Sequence, residues 1–257
     1  NTSEVTMADA TVNVTDQVTK TQAEAINSYT TGQVTLTSIA DTLNNLSSIN
    51  SLPDSKVMMQ MASLTVTDTA TLANANTVNE FTTNQVTLTS ISDTFANITS
   101  IDAINTSEVT MADATVNVTD QVTKTQADAI NSYTTGQVTL NSISDTSANL
   151  ATLDAIDNAE VTIGTAEVNV LDTVTLANAN TINAYTTGQV TLTSISDTFA
   201  NITSIHLLPT SEVTMADATV NVTDQVTKTQ ADAINSYTTG QVTLNSISDT
   251  SANLATL

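Results

Sequence analysis

The chain has no cysteine, no tryptophan and no arginine, and these absences exclude several classes of site. Without cysteine, a disulfide framework and thiolate metal centres are both excluded. Four lysines (Lys20, Lys56, Lys124 and Lys228) face 26 acidic residues, so the net charge is −22. Because nucleic-acid binding depends on Lys and Arg side chains that neutralise phosphates, the sequence predicts no nucleic-acid partner.

Glycine and histidine are equally scarce. Five glycines leave no material for a phosphate-binding loop, and no common catalytic or nucleotide-binding motif occurs. We expect His206, the only histidine, to be a solvated residue between helices. The sequence therefore predicts a protein that is not an enzyme and has no cofactor. No run approaches the roughly 18 apolar residues of a membrane-spanning helix, so no membrane insertion is predicted.

What the chain has instead is repetition. Copies of one unit begin at Ser3, Ser55, Ser107, Ala159 and Ser211, which gives a period of 52 residues, and residues 107–153 are identical to residues 211–257. Repetition of this fidelity is typical of solenoids and of arrays of modules, because it supplies the same groups at regular intervals. The predicted repeats are residues 3–54, 55–106, 107–158, 159–210 and, truncated, 211–257.

Each repeat has the pattern strand–helix–strand–helix. In the first repeat, residues 11–15 and 33–39 alternate apolar with polar residues and are rich in β-branched types, as strands are. A helix is predicted over about residues 19–30, with Thr19 as its N-cap, Asp16 as the alternative N-cap one turn earlier, and a capping-box spacing between Thr21 and Glu24. Asp41 and its counterparts are predicted to be the N-caps of the second helix.

Successive strand–helix units favour right-handed crossovers and a parallel sheet. The predicted fold is therefore an α/β, right-handed parallel strand–helix repeat solenoid; the alternative is an array of compact α/β modules of 52 or 104 residues. Strands would lie about 4.8 Å apart, whereas packed helices need about 8–10 Å. This mismatch predicts curvature, alternating helix depth, or extra short strands such as Val5–Met7.

Two local predictions follow from the repeat. Ile26, Tyr29, Val34 and Leu46 should be buried between strands and helices. The position after the first helix should have a positive φ, because only glycine and asparagine occur there and both tolerate it. The residues at this position are Gly32, Asn84, Gly136, Gly188 and Gly240.

Aspartate recurs at one register of the repeat as Asp16, Asp68, Asp120, Asp172 and Asp224, and at a second register as Asp41, Asp93, Asp145, Asp197 and Asp249. One interpretation is two columns of carboxylates that bind Ca²⁺, above all the first column, because the preference of Ca²⁺ for hard oxygen ligands suits Asp. The other interpretation is helix capping at the strand–helix junctions.

The chain resembles the large, acidic, cysteine-free repeat proteins that bacteria secrete to their surfaces: adhesins, surface-layer proteins and extracellular filaments. Units such as VNVTDQVTKTQADAINSYTTGQVTLNSISDT carry this resemblance across all five copies. It implies an extracellular or cell-surface location and a non-enzymatic structural segment of a long fibre, adhesin stalk or surface layer that self-associates end to end. The alternative is a repeat module that binds Ca²⁺, glycan or ice, the last suggested by threonines at T-x-T spacing.

Overall fold

A computed structural model describes residues 7–154 and 160–256, with Asp154 described by its backbone only. Val5 and Thr6 therefore lie outside the described residues. The chain divides into two compact units, one of residues 1–119 and 129–138 and the other of residues 120–128 and 139–257. Strands and helices alternate in both.

The elements in chain order are β1 (Val12–Val18), α1 (Lys20–Ser28), β2 (Val34–Asp41), α2 (Leu43–Asn50), β3 (Val57–Met58), β4 (Ser63–Ala70), α3 (Leu72–Asn79), β5 (Val86–Asp93), α4 (Phe95–Asp102), β6 (Val109–Thr110), β7 (Thr115–Val122), α5 (Lys124–Asn131), β8 (Val138–Asp145), α6 (Ser147–Asp154), β9 (Val161–Thr162), β10 (Glu167–Val174), α7 (Leu176–Asn183), β11 (Val190–Asp197), α8 (Phe199–His206), β12 (Val213–Thr214), β13 (Thr219–Val226), α9 (Lys228–Asn235), β14 (Val242–Ile247) and α10 (Ser251–Leu254).

The helices are short, and threonine caps fix where they begin. Thr19 is the N-cap of α1 as predicted, and its capping box is completed by Gln22 rather than by the predicted Thr21–Glu24 pair. Equivalent boxes begin α3, α5, α7 and α9. The predicted N-cap Asp41 is wrong by one residue, because Thr42 caps α2. Helices of about eight residues are marginal alone in water, so packing on the strands must hold them.

The strands form a parallel sheet in each unit. In the first unit β1, β2, β4, β5 and β7 are neighbours in that order; in the second, β8, β10, β11, β13 and β14 are. Pairing crosses the repeat boundaries, since Ser38 faces Ser63 and Ser194 faces Thr219. The parallel strand–helix solenoid is thus confirmed, and consecutive repeats inside each unit share one sheet instead of forming separate modules.

Successive repeats are staggered along the strand direction. Ile39 faces Leu64, which faces Val86. The counterpart of Val86 one repeat earlier is Val34 (86 − 52), so each repeat advances by 39 − 34 = 5 residues. Ile143, Val168 and Val190 show the same advance in the second unit.

The stagger resolves the mismatch between strand and helix spacing. Five residues advance the chain by about 16 Å along the strands, while two strands add only about 9.6 Å sideways. Equivalent points in neighbouring repeats therefore lie about 19 Å apart, which leaves about 9.5 Å for each of two helices and matches helix packing. The strand ends that the stagger leaves unpaired are covered by the two-residue strands β3, β6, β9 and β12, the counterparts of the predicted short strand at Val5.

The core lies between the sheet and the helices. Val34 and Leu46 are buried as predicted, but Ile26 is only half-buried, although its counterparts Val78, Ile130, Ile182 and Ile234 are fully buried. The prediction for Tyr29 is wrong, because its side chain is 63% exposed. Its counterparts Phe81, Tyr133, Tyr185 and Tyr237 are half-buried, and Tyr237 stacks on His206 of the preceding helix α8. No described helix precedes α1, so Tyr29, the C-cap of α1, has no such neighbour.

The predicted positive φ after the first helix is also wrong, since no described residue has a positive φ. In the four repeats that have glycine there, two chain segments approach each other closely. A Cβ atom on Gly32 would lie 2.3 Å from the carbonyl oxygen of Ala10, and one on Gly136 would lie 2.2 Å from that of Ala114. Asn84 has a Cβ at this position and donates a hydrogen bond from Nδ2 to the carbonyl oxygen of Met61 (3.3 Å).

Candidate functional site

In each repeat, an aspartate lies at the end of the second long strand or just after it. It joins two neighbouring coils, where a coil is one long strand and the helix that follows it. Asp93 shows the arrangement: its Oδ2 accepts a hydrogen bond from the backbone N–H of Leu72 (2.9 Å), the first residue of α3 in the preceding coil. Its Oδ1 accepts from the N–H of Thr94 (2.9 Å) and from Nδ2 of Asn97 (2.7 Å). The same set occurs at Asp41, Asp145, Asp197 and Asp249. We call these five residues the bridging aspartates.

Hydrogen bonding dominates the electrostatics of the bridging aspartates. Burial is the largest single influence on Asp93 and would raise its pKa, but the donors at Leu72, Asn97 and Thr94 together outweigh it and lower the pKa. The balance is the same at Asp41, Asp145 and Asp197. These carboxylates are therefore ionised at neutral pH and hold the N-terminus of the preceding helix.

In the predicted calcium column that begins at Asp16, three aspartates (Asp68, Asp172 and Asp224) make the complementary contact. Oδ1 of Asp68 accepts from the N–H of Leu43 (2.9 Å), and Oδ1 of Asp224 accepts from that of Phe199 (2.8 Å). Asp172 accepts from both the N–H (2.7 Å) and the Oγ–H (2.6 Å) of Ser147. Asp120 also has an interaction partner, and Asp16 lies in β1, the first described strand.

These contacts favour the helix-capping interpretation, with the difference that Asp68, Asp172 and Asp224 cap the helix of the preceding coil. A β-bulge positions them, since the register shifts between Val66 and Thr69 on either side of Asp68. In the part of the chain that the structure describes, no three His, Cys, Asp or Glu side chains form a group that could hold a metal ion. Calcium binding stays a prediction.

The sheet face opposite the helices, which we call the open face, carries neutral polar side chains. Helices that follow neighbouring parallel strands with one crossover hand all cover the same face. The other face presents Thr65, Thr69, Thr87 and Ser90 and their counterparts, which lie between the buried positions. Some of them bond across strands, as Thr69 Oγ1 and Ser90 Oγ do (3.2 Å), and as Asn117 Nδ2 donates to Ser92 Oγ (2.9 Å).

Charge is almost absent from this face. The described strands contain no lysine, and outside the two aspartate columns their only acidic residue is Glu167. The other described acids lie on the helices and in the loops. On the described strands, the open face is therefore a neutral surface that a second molecule can approach without bringing carboxylates together.

Sequence reasoning missed a column of buried threonines. Thr30 donates from Oγ1 to the carbonyl oxygen of Ala10 (2.5 Å) and accepts from the N–H of Gly32 (3.0 Å). Thr82, Thr134, Thr186 and Thr238 are buried in the same way and bond to the matching alanine. The signal was available, because every helix–strand turn of this type reads Thr-Thr-Gly or Thr-Thr-Asn.

His206 is exposed as predicted, but it is the last residue of α8 rather than a residue between helices, and it has a specific neighbour. Its ring stacks on that of Tyr237 in the next coil, with ring centroids 3.9 Å apart and an interplanar angle of 9°. A stacked aromatic pair of this kind contributes to packing between coils.

None of the described helices is long and apolar enough to cross a membrane. Comparison with protein-family models, with curated proteins and with solved structures found no match to this chain.

Proposed function

We propose that this chain is a non-enzymatic structural repeat segment of a long extracellular fibre, adhesin stalk or surface layer, and that it acts by self-association. The observation that carries the proposal is that, within each unit, neighbouring coils are tied together in the same way. Parallel backbone pairing is supplemented by a bridging aspartate such as Asp93 and by an aspartate such as Asp68. Such repetition builds length and stiffness.

The charge distribution supports self-association over binding to other macromolecules. With four lysines and no arginine, the protein offers little to nucleic acid or to anionic membrane surfaces, and we propose no partner of either kind. Copies repel each other through their acids, so contact between them must use neutral surfaces or follow screening by salt.

A second candidate function is a repeat binding module for glycan or ice, with Ca²⁺ as a third ligand. The observation that favours glycan or ice is the open face, whose neutral hydroxyl and amide groups repeat at the strand spacing. Thermal hysteresis and glycan-array binding by the isolated chain would support this candidate over self-association.

Light scattering across ionic strength tests the proposal, with Ca²⁺ and chelator arms at matched ionic strength. We expect the mean mass of the particles in solution to rise with the salt concentration, because screening weakens repulsion between like-charged copies. A rise that needs Ca²⁺ and is reversed by chelator would instead assign a role to the aspartate columns. A chain that stays monomeric at high concentration in every arm would refute self-association.

A further inference from the structure

The second residue of each repeat is a lysine in one repeat and a glutamate in the others. The lysine is Lys56, and the glutamates are Glu4, Glu108, Glu160 and Glu212. The carbonyl oxygens of Lys56, Glu108 and Glu212 lie in matching places, because they accept hydrogen bonds from the first residues of β2, β5 and β11. These hydrogen bonds come from the N–H groups of Val34 (2.8 Å), Val86 (2.6 Å) and Val190 (2.7 Å). A cation and a carboxylate therefore start from equivalent points of the fold.

The ammonium group of Lys56 shows what the neighbouring turn can bind. Its Nζ donates a hydrogen bond to the carbonyl oxygen of Thr31 (3.0 Å), which lies 25 residues earlier in the chain. The turn itself is fixed by a hydrogen bond from the N–H of Thr31 to the carbonyl oxygen of Ala8 (2.7 Å). The N–H of Thr83, the counterpart of Thr31, donates to the carbonyl oxygen of Gln60 over the same distance. The two turns thus present equivalent carbonyl groups.

Where Glu108 takes the place of Lys56, the same turn borders a cleft. The cleft has a volume of about 290 Å³ and is lined by Asn79, Thr82, Thr83, Asn84 and Glu108. Oε2 of Glu108 accepts a hydrogen bond from Nδ2 of Asn79 over 3.5 Å, which is long for a hydrogen bond. Because the two oxygens of a carboxylate offer about four acceptor sites, Glu108 keeps capacity for a stronger donor.

We infer that this cleft binds a primary ammonium group, carried either by a small organic amine or by a lysine side chain. The Glu108 carboxylate accepts a charge-assisted hydrogen bond from the ammonium group. The Thr83 carbonyl oxygen accepts a second N–H, as the Thr31 carbonyl oxygen does from Lys56. An ammonium group suits this pair, because it has three donors and no acceptor.

A second site of the same kind lies in the second unit. There Nδ2 of Asn183 donates to Oε2 of Glu212, again over 3.5 Å. Both sites use a carboxylate at the position where Lys56 carries its own ammonium group, so the chain supplies the ligand chemistry once and the receptor chemistry elsewhere. The inference is independent of the proposed self-association.

NMR spectroscopy of the backbone amides of Thr83 and Asn84 tests the inference, because exposed ion pairs are weak and binding must be followed residue by residue. The folded chain is titrated at low salt with methylammonium chloride or with N-acetyl-lysine amide, which separates a free amine from a lysine side chain. Tetramethylammonium chloride is the control ligand, since it has the same charge and no N–H donor.

Two substitutions block the site. Glu108→Lys introduces the residue type that already binds the equivalent turn at Lys56, so this variant should fold, which circular dichroism checks. Glu108→Gln removes only the charge. Glu167→Gln is the matched control, because it removes the same charge from an exposed residue of β10 outside the cleft.

We expect both primary amines to shift the two amide signals in the unsubstituted chain and in Glu167→Gln, and tetramethylammonium to leave them in place. Both Glu108 variants should lose the response. A response to only one of the two amines also supports the inference and identifies the source of the ammonium group that the cleft accepts. The inference is overturned if neither amine shifts these signals, if tetramethylammonium shifts them equally, or if both Glu108 variants respond like the unsubstituted chain. None of these outcomes bears on self-association, which light scattering tests separately.

Discussion

The substitution Asp93→Asn removes a hydrogen bond that joins two neighbouring coils, the one from Leu72 N–H to Asp93 Oδ2. Asparagine keeps the oxygen that accepts from Thr94 and Asn97, but it places an NH₂ group where Oδ2 accepted from the N–H of Leu72. Two donors then face each other at the start of α3. Leaving a partly buried N–H unsatisfied costs about 1–3 kcal/mol. We expect a loss of stability of about that size, centred on the first turn of α3.

The assay combines urea unfolding with hydrogen exchange at single amides. Because about 1.4 kcal/mol is a factor of ten, the loss corresponds to a roughly 5- to 150-fold fall in protection of the Leu72 amide. Glu80→Gln is the control, since it removes one negative charge from an exposed residue at the other end of α3. If Asp93→Asn changes neither the urea midpoint nor the Leu72 protection relative to Glu80→Gln, the bridging role of these aspartates is wrong.

The same substitution predicts a pH dependence. The pKa of Asp93 in the folded protein is lowered, with burial opposing and the three hydrogen bonds prevailing. A carboxylate whose folded pKa is depressed stabilises the fold above its unfolded pKa of about 3.9, and this contribution disappears as the pH falls through the folded pKa. The stability difference between the unsubstituted chain and Asp93→Asn should therefore shrink steadily as the pH falls below about 4.

Four further substitutions, one of them a control, test other parts of the account by urea unfolding. Asp102→Asn should stabilise the protein by about 0.3–1 kcal/mol at neutral pH and not in acid, because burial raises the pKa of this carboxylate at the C-terminus of α4; a destabilised variant would contradict this. Gly136→Ala should lower the free energy of unfolding by about 1–3 kcal/mol, because the new Cβ clashes with Ala114. Gly164→Ala is the control and should lower it much less, because its Cβ would meet only the Thr162 hydroxyl at 3.5 Å. Equal losses of stability would refute the close-approach argument. Leu46→Ala should cost about 2–5 kcal/mol, because the side chain is fully buried, and a neutral result would show that the core is misplaced.

The local structure was predictable because it depends on residues close together in the chain. The β-branched runs predicted the strands, and Thr19 predicted where α1 begins, because both signals lie within a single repeat. Contacts between coils were harder, since they join residues 21–25 apart, as Leu72 with Asp93 and Leu43 with Asp68. Which amide meets which carboxylate depends on the five-residue stagger, and no single repeat encodes that register.

The glycine position shows a second limit of sequence reasoning. Glycine alternating with asparagine is compatible with a positive φ, and that prediction was wrong. The actual constraint, the carbonyl oxygen of Ala10 beside Gly32, comes from a segment 22 residues earlier in the chain. Thr30 binds the same carbonyl, so the buried threonine and the glycine serve one turn.

Negative-stain electron microscopy of the 257-residue chain, imaged at low and at high salt, tests the central claim most directly. A self-associating structural segment should appear as dispersed particles at low salt and as filaments or ordered lattices at high salt, because screening removes the repulsion that a net charge of −22 creates. Dispersed single particles at both salt concentrations would contradict the structural role and favour a binding module.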